Sequence, residues 1–280
     1  MKAYTLGLYE KAMPEVSWPE KLRIAKNAGY DFVEISIDAS EEKISRVYSS
    51  RAERRALVEQ MYDCGMPIGT LNASALTRYA LGDPDPEIRA RSVSIAEHAL
   101  GLAADLGARI VMIPGYDIYF GSSTPETEAL FTENIRRLTL LAARCGVQLG
   151  FETMENEFMN TVEKAMHYVR LMDSNYLKVY PDIGNTTNAA VLYGTDVLED
   201  LRRGRGHLAA IHLKETKPGR FREIPYGSGH VDFEAAIRTA WELGVRRFVT
   251  EFWYLNGREK PADVRARFAA ILDRQEGEMK

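Results

Sequence analysis

Four residues stand out for the chemistry their types allow: Glu152, Asp182, His212 and Glu251. Each comes at the end of a short apolar run, at 147–151, 177–181, 209–211 and 248–250 respectively. Their separations are 30, 30 and 39 residues, the length of one strand plus one helix with loops. Taken singly, each reads as an ordinary polar residue at a strand end. Taken together, they occupy equivalent places on four successive strands and can meet at one point. Three carboxylates brought together repel and raise one another's pKa. One imidazole does not offset that, but a divalent cation does. Three oxygen donors and one nitrogen suit Zn²⁺ or Mn²⁺, and also Co²⁺ or Mg²⁺, and argue against a closed thiolate zinc site.

A cation held this way can chelate a carbonyl oxygen and the neighbouring hydroxyl of a polyol, polarise the carbonyl and stabilise an enediolate. The proton on the adjacent carbon then becomes removable. Glu152 and Glu251 are the best opposed pair, because they bracket Asp182 and His212. One removes the proton and the other returns it from the opposite face, which inverts the carbon. The same constellation also suits dehydration, aldose–ketose isomerisation or phosphodiester hydrolysis. The chain has no HExxH, CxxC, Walker loop or GxSxG motif. His98 and His167 fall within helical segments, where surface or packing roles are expected. His207 opens a strand, away from the reactive end. The run 202–205 reads as basic charge at a helix end. Glu34 and Asp38, read as following the second strand, are expected near the mouth but rank below the four. The segment 227–230 is a flexible loop able to close over an anion, or a plain connector.

The elements that must position these residues show in a repeat. Polar helix-like segments end in Gly29, Gly65, Gly107, Gly146 and Gly244, and each is followed by an apolar run. Glycine there suits a left-handed C-cap, where a Cβ is strained. The first four glycines are 36, 42 and 39 residues apart. The last interval is 98, or three units of about 33 if two caps lack glycine. Runs at 4–8, 177–180 and 208–211 complete eight strands. The chain of 280 residues then provides 35 per unit. Ser17 with Glu20 and Ser50 with Glu53 fit capping boxes. Thr124 precedes Pro125 at a helix start, and Asp232 can cap a helix over 233–243. Alternating strands and helices imply a parallel sheet with right-handed crossovers. Eight units at this length predict an α/β fold, a (β/α)8 TIM barrel, as one domain over residues 1–280. An open doubly wound sheet would show a phosphate-binding glycine signature after the first strand, and 8–11 has none.

Composition agrees. Hydrophobic residues are 45% and charged residues 27%, with a net charge of −4, so neither a disordered chain nor a nucleic-acid binder is expected. No apolar run of about 18 residues is present, which predicts no membrane span. Two cysteines and no leader layout predict a cytoplasmic protein.

Several stretches resemble a known family: 6–12 (LGLYEKA), 115–119 (GYDIY), 180–185 (YPDIGN), 212–219 (HLKETKPG) and 231–233 (VDF). The chain resembles the L-ribulose-5-phosphate 3-epimerases, also called L-xylulose-5-phosphate 3-epimerases, among the xylose-isomerase-like barrels. The resemblance covers nearly the whole chain. It implies one divalent metal on Glu152, Asp182, His212 and Glu251, with the two glutamates as acid and base. It also implies a phosphorylated ketopentose substrate, inverted at C3, in pentose phosphate and ascorbate catabolism. A lyase or dehydratase, or an isomerase of a related keto-sugar or inosose, is the alternative. The family's histidine after strand three is replaced here, where 74–79 reads SALTRY. Free-sugar epimerases often carry His three residues after the metal aspartate, where this chain has Asn185, which favours the phosphosugar branch. Tyr9 and Asn185 are candidate substrate contacts. Lys11 and Lys217 are the preferred phosphate candidates. Lys214 and Arg78 are weaker and read as solvated charges. By analogy with such barrels, a homodimer or higher homo-oligomer is expected.

Overall fold

The structure, a computed structural model, describes residues 2–278. Among them are eight parallel strands in one sheet: β1 (Thr5–Tyr9), β2 (Phe32–Ser36), β3 (Ile68–Asn72), β4 (Ile110–Pro114), β5 (Gln148–Glu152), β6 (Leu177–Tyr180), β7 (Ile211–Leu213) and β8 (Arg247–Thr250). Helices alternate with them: α1 (Trp18–Ala28), α2 (Glu41–Ser45), α3 (Arg51–Cys64), α4 (Pro86–Leu106), α5 (Pro125–Cys145), α6 (Val162–Met172), α7 (Ile183–Tyr193), α8 (Val197–Arg203), α9 (Phe233–Glu242) and α10 (Pro261–Glu278). Neighbours pair in order from β1 to β6, and β1 also pairs with β8, which pairs with β7. The β6–β7 seam is closed by single bridges, Val179 to Leu208 and Asp182 to His212. The result is the barrel that the repeat implies.

One boundary differs from expectation. The run 208–211 was expected to be strand seven, with His212 at its end. Only Ile211–Leu213 forms a ladder, with β8, and Leu208 makes one bridge to β6. His212 is therefore the middle residue of β7.

Local chemistry explains the helix ends. The Ser50 backbone amide donates to Glu53 Oε2 at 2.7 Å, and Glu53 returns its amide to Ser50 Oγ at 3.3 Å. The Ser17–Glu20 box and the Thr124 and Asp232 caps form as well. Gly29, Gly65, Gly107 and Gly146 all cap helices in the left-handed region, with φ between 58° and 85°. Of the two caps expected to lack glycine, only the one after α6 does, where Asp173 adopts φ 46°; α8, before β7, ends at Gly204.

The apolar core has two parts. The larger lies between strands and helices. The smaller is the barrel interior: Tyr9, Phe32, Ile110, Met112, Tyr180, Ala210 and Val249. Phe32 fills the floor because β3 offers Gly69 beside it, where a Cβ would come within 2.7 Å of the ring, and Gly7 on β1 is tighter still. Strand alternation then points every second residue inward and stacks polar side chains above this apolar plug.

Candidate metal centre and active site

The four residues converge at the carboxyl ends of β5 to β8. Glu152 is the last residue of β5, and Glu251 directly follows β8. Asp182 caps α7, its Oδ1 accepting the Asn185 amide at 2.9 Å. All four are buried, and one donor atom from each lies within 4.8 Å of the others. His212 Nδ1 is 2.6 Å from Glu251 Oε2 and 3.5 Å from Glu152 Oε1.

The surroundings set the charge states. Burial raises the Glu152 carboxyl against the neighbouring His212. Burial also pushes Asp182 up to about 7, which Lys214 opposes and Glu251 and Glu152 reinforce. Burial favours neutral His212, but Glu34 and Glu251 prevail and raise its pKa well above the usual value. Glu251 is held well below the carboxylate range, because Lys214 and His212 outweigh its burial. Asp182 Oδ2, His212 Nδ1 and Glu251 Oε2 are buried without an aligned hydrogen bond, although His212 Nδ1 and Glu251 Oε2 lie close together. Three carboxylates and one imidazole crowded into one buried chamber, with these three atoms lacking aligned hydrogen bonds, fit a divalent cation.

Two side chains near this chamber were placed differently by sequence reasoning. Lys214, read as a solvated charge, is buried and sits 2.5 Å from Asp182 Oδ2. Strand alternation explains it: on the β7 register, His212 and Lys214 point the same way. Glu34 does not face the mouth. It lies inside the barrel, fully buried, with Oε1 at 2.6 Å from His212 Nε2. Asp38 does lie nearer the surface, paired with Lys11 at 3.2 Å.

The remaining candidates separate. Tyr9 is buried beside the site, its ring centroid 6.2 Å from that of His212 and its hydroxyl 3.3 Å from Ser36 Oγ. Asn185 is buried, donates Nδ2 to the Thr153 carbonyl at 2.8 Å and leaves Oδ1 without a partner. Lys217 is half-buried in a tight turn closed by mutual backbone bonds with Arg220. Arg78 is exposed, its guanidinium over the Tyr79 ring. The loop 227–230 is pinned by buried Glu215, which accepts the amides of Gly227 at 2.9 Å and Val231 at 3.3 Å. Tyr116 turns inward and Phe120 outward, with the Tyr119 ring packed edge-on between them at 5.0 and 4.7 Å.

Comparison with known proteins agrees with this geometry. Residues 22–271 match the family model described as xylose isomerase-like TIM barrel. The chain is 36% identical over 265 residues to L-ribulose-5-phosphate 3-epimerase UlaE of Escherichia coli strain SE11, covering 94% of this chain and 92% of that one. It matches the protein of the same name from Shigella flexneri equally well, at 36% over the same share of each chain. Among solved structures, a D-tagatose 3-epimerase-like protein superposes with a TM-score of 0.80 at 16% identity, covering 99% of this chain and all of that one. An L-ribulose 3-epimerase superposes with a TM-score of 0.77 at 16% identity, covering 99% and 97% of the two chains. The chain belongs to the xylose isomerase-like TIM barrel family and, within it, to the family of the L-ribulose-5-phosphate 3-epimerases.

Proposed function

We propose that this enzyme inverts C3 of L-ribulose 5-phosphate and L-xylulose 5-phosphate, with a divalent cation held by Glu152, Asp182, His212 and Glu251. The observation that carries the reading is the pair of buried glutamates at the carboxyl ends of β5 and β8, which in strand order flank Asp182 and His212. When bound, the cation supplies the positive charge that polarises the substrate carbonyl and stabilises the enediolate.

The two glutamates do the proton work. Their surroundings push them apart: Glu251 favours its ionised form and Glu152 its protonated form. For one epimer, Glu251 takes the C3 proton and Glu152 delivers a proton to the other face. For the opposite epimer, the roles reverse. Asn185 Oδ1 is a buried acceptor without a protein partner, beside Asp182, and suits a substrate hydroxyl. Tyr9 walls the site from the β1 side. Lys11 and Lys217 are the groups we assign to the phosphate. Zinc or manganese is the expected ion, and the setting is cytoplasmic pentose catabolism. No described helix is long and apolar enough to cross a membrane.

The test is an NMR assay in D₂O on both pentulose phosphates, with elemental analysis of the purified protein. Wild-type enzyme should exchange the C3 proton and equilibrate the two sugars. Glu152→Gln and Glu251→Gln should each slow epimerisation by at least about 100-fold, the usual contribution of a positioned acid or base. Full exchange in both variants would remove the mechanism. A product lighter by one water would select a dehydratase instead.

A further inference from the structure

One fully buried charged group near the site belongs to no step above. Glu34, on β2, is fully buried inside the barrel. Its Oε2 accepts hydrogen bonds from Thr70 Oγ1 at 2.7 Å and Tyr180 Oη at 3.0 Å. Its Oε1 lies 2.6 Å from His212 Nε2, across the barrel and 178 residues away in sequence. Those donors come from β3, β6 and β7, so one carboxylate ties three further strands together beneath the chamber.

We propose that Glu34 is a positioning residue that sets which nitrogen of His212 faces the chamber. This rests on the cation reading above. The reasoning is donor arithmetic. A carboxylate only accepts, and two hydroxyls already donate to Oε2. Nε2, facing Oε1, must therefore carry the ring proton. With a cation bound, His212 ligates as the neutral imidazole with one proton, so Nδ1 is the nitrogen left with a lone pair. Nδ1 is the nitrogen beside Glu152 and Glu251, and it makes no aligned hydrogen bond. Histidines that bind a metal through one nitrogen gain basicity and a fixed ring orientation when the other donates to a carboxylate. Thr70 and Tyr180 hold that carboxylate still. Tyr180 also packs its ring edge-on against His212, with centroids 4.9 Å apart, so the ring is fixed from its face as well as from Nε2.

The test uses full-length protein with ¹⁵N-labelled histidine, stripped of metal and reloaded with Zn²⁺. Cation affinity is measured by competition with a chromophoric chelator. In the wild type, the His212 ¹⁵N signals should show Nε2 protonated and Nδ1 shifted by the ion. Glu34→Gln should weaken Zn²⁺ binding by roughly 10- to 100-fold while cooperative unfolding persists. Tyr180→Phe keeps the ring and removes one donor to Glu34. It should shift affinity in the same direction by less, and it carries the test if Glu34→Gln does not fold. An Nδ1-protonated, Nε2-deprotonated His212 in the Zn²⁺-loaded wild type overturns the proposal. So does unchanged affinity in the folded Glu34→Gln protein. Failure of the cation reading shows separately, as a wild-type protein that takes up no Zn²⁺. The tautomer is then read on the metal-free protein at alkaline pH, where Nε2–H supports the proposal and Nδ1–H still overturns it.

Discussion

Single side chains decide how the interior fills. Phe32 occupies the barrel floor only because Gly69 and Gly7 face it without a Cβ. Gly69→Ala should therefore overpack the floor and destabilise the protein by about 1–3 kcal/mol in urea unfolding. Gly107→Ala should cost about 1–2 kcal/mol for a different reason. Its backbone sits at φ 75°, and no atom lies within 4 Å of an added Cβ. Asparagine separates the two causes, because it tolerates the left-handed region but not a filled space. Gly107→Asn should regain part of the loss, and Gly69→Asn should be worse than Gly69→Ala. Equal behaviour at both sites would show that one of these explanations is wrong.

Among the elements, the segment after β1 is tied down by charge. Glu10 is fully buried and accepts Lys21 from α1 at 2.7 Å and Arg46 at 2.8 Å, with Lys43 of α2 at 3.6 Å. Glu15 joins Lys21 and Lys43, both at 2.8 Å. Burial raises both carboxyls, but the cations prevail, lowering Glu10 and bringing Glu15 from 4.5 to about 2. A depressed acid stabilises the fold fully above its unfolded pKa and loses that contribution as pH falls through the folded one. Acid unfolding, followed by circular dichroism at fixed urea, should therefore set in as pH falls from about 4.5 towards 2. Lys43→Met should move the midpoint upward, and an unmoved midpoint would rule out this cluster as the cause. The β1–α1 and β2–α2 connections flank Tyr9 and Lys11, so this network also holds one side of the proposed substrate mouth in place.

At the scale of the molecule, the apolar cores and the barrel ladder do not depend on the site. Metal-free protein should stay folded but be less stable, because a ligand bound only by the native state stabilises it by mass action. The gain is about 2.7 kcal/mol at a hundredfold excess over Kd. The loss should depend on pH. Asp182 is raised from 3.8 to about 7 mainly by burial, with Glu152 raised in the same direction. A raised acid costs stability as pH climbs from its unfolded to its folded pKa. The metal-free protein should therefore lose Tm between about pH 4 and 7, and the gap to the loaded form should widen from pH 5 to pH 8 in calorimetry. A constant gap would mean that the cation does not bind these carboxylates.

Much of this was legible in the chain itself. Glycine caps, capping boxes and apolar runs are local, and they set the number and order of strand–helix units. Because Glu152, Asp182, His212 and Glu251 recur at unit spacing near strand ends, their meeting follows from the repeat alone. Glu34 and Lys214 were beyond that reach. β2 is buried along its whole length, so no polar alternation marks Glu34 as inward-facing, and nothing local says that its partner is 178 residues away. Lys214 looks like any loop lysine until β7 is found to begin at Ile211, with its register set by pairing with β8. Local sequence determined the number, order and most ends of the strands and helices, since caps and periodicity act within a few residues, while the bounds of β7 came from pairing with β8. Only barrel closure decided which buried charges face one another, because cross-barrel distance and burial are properties of the whole sheet.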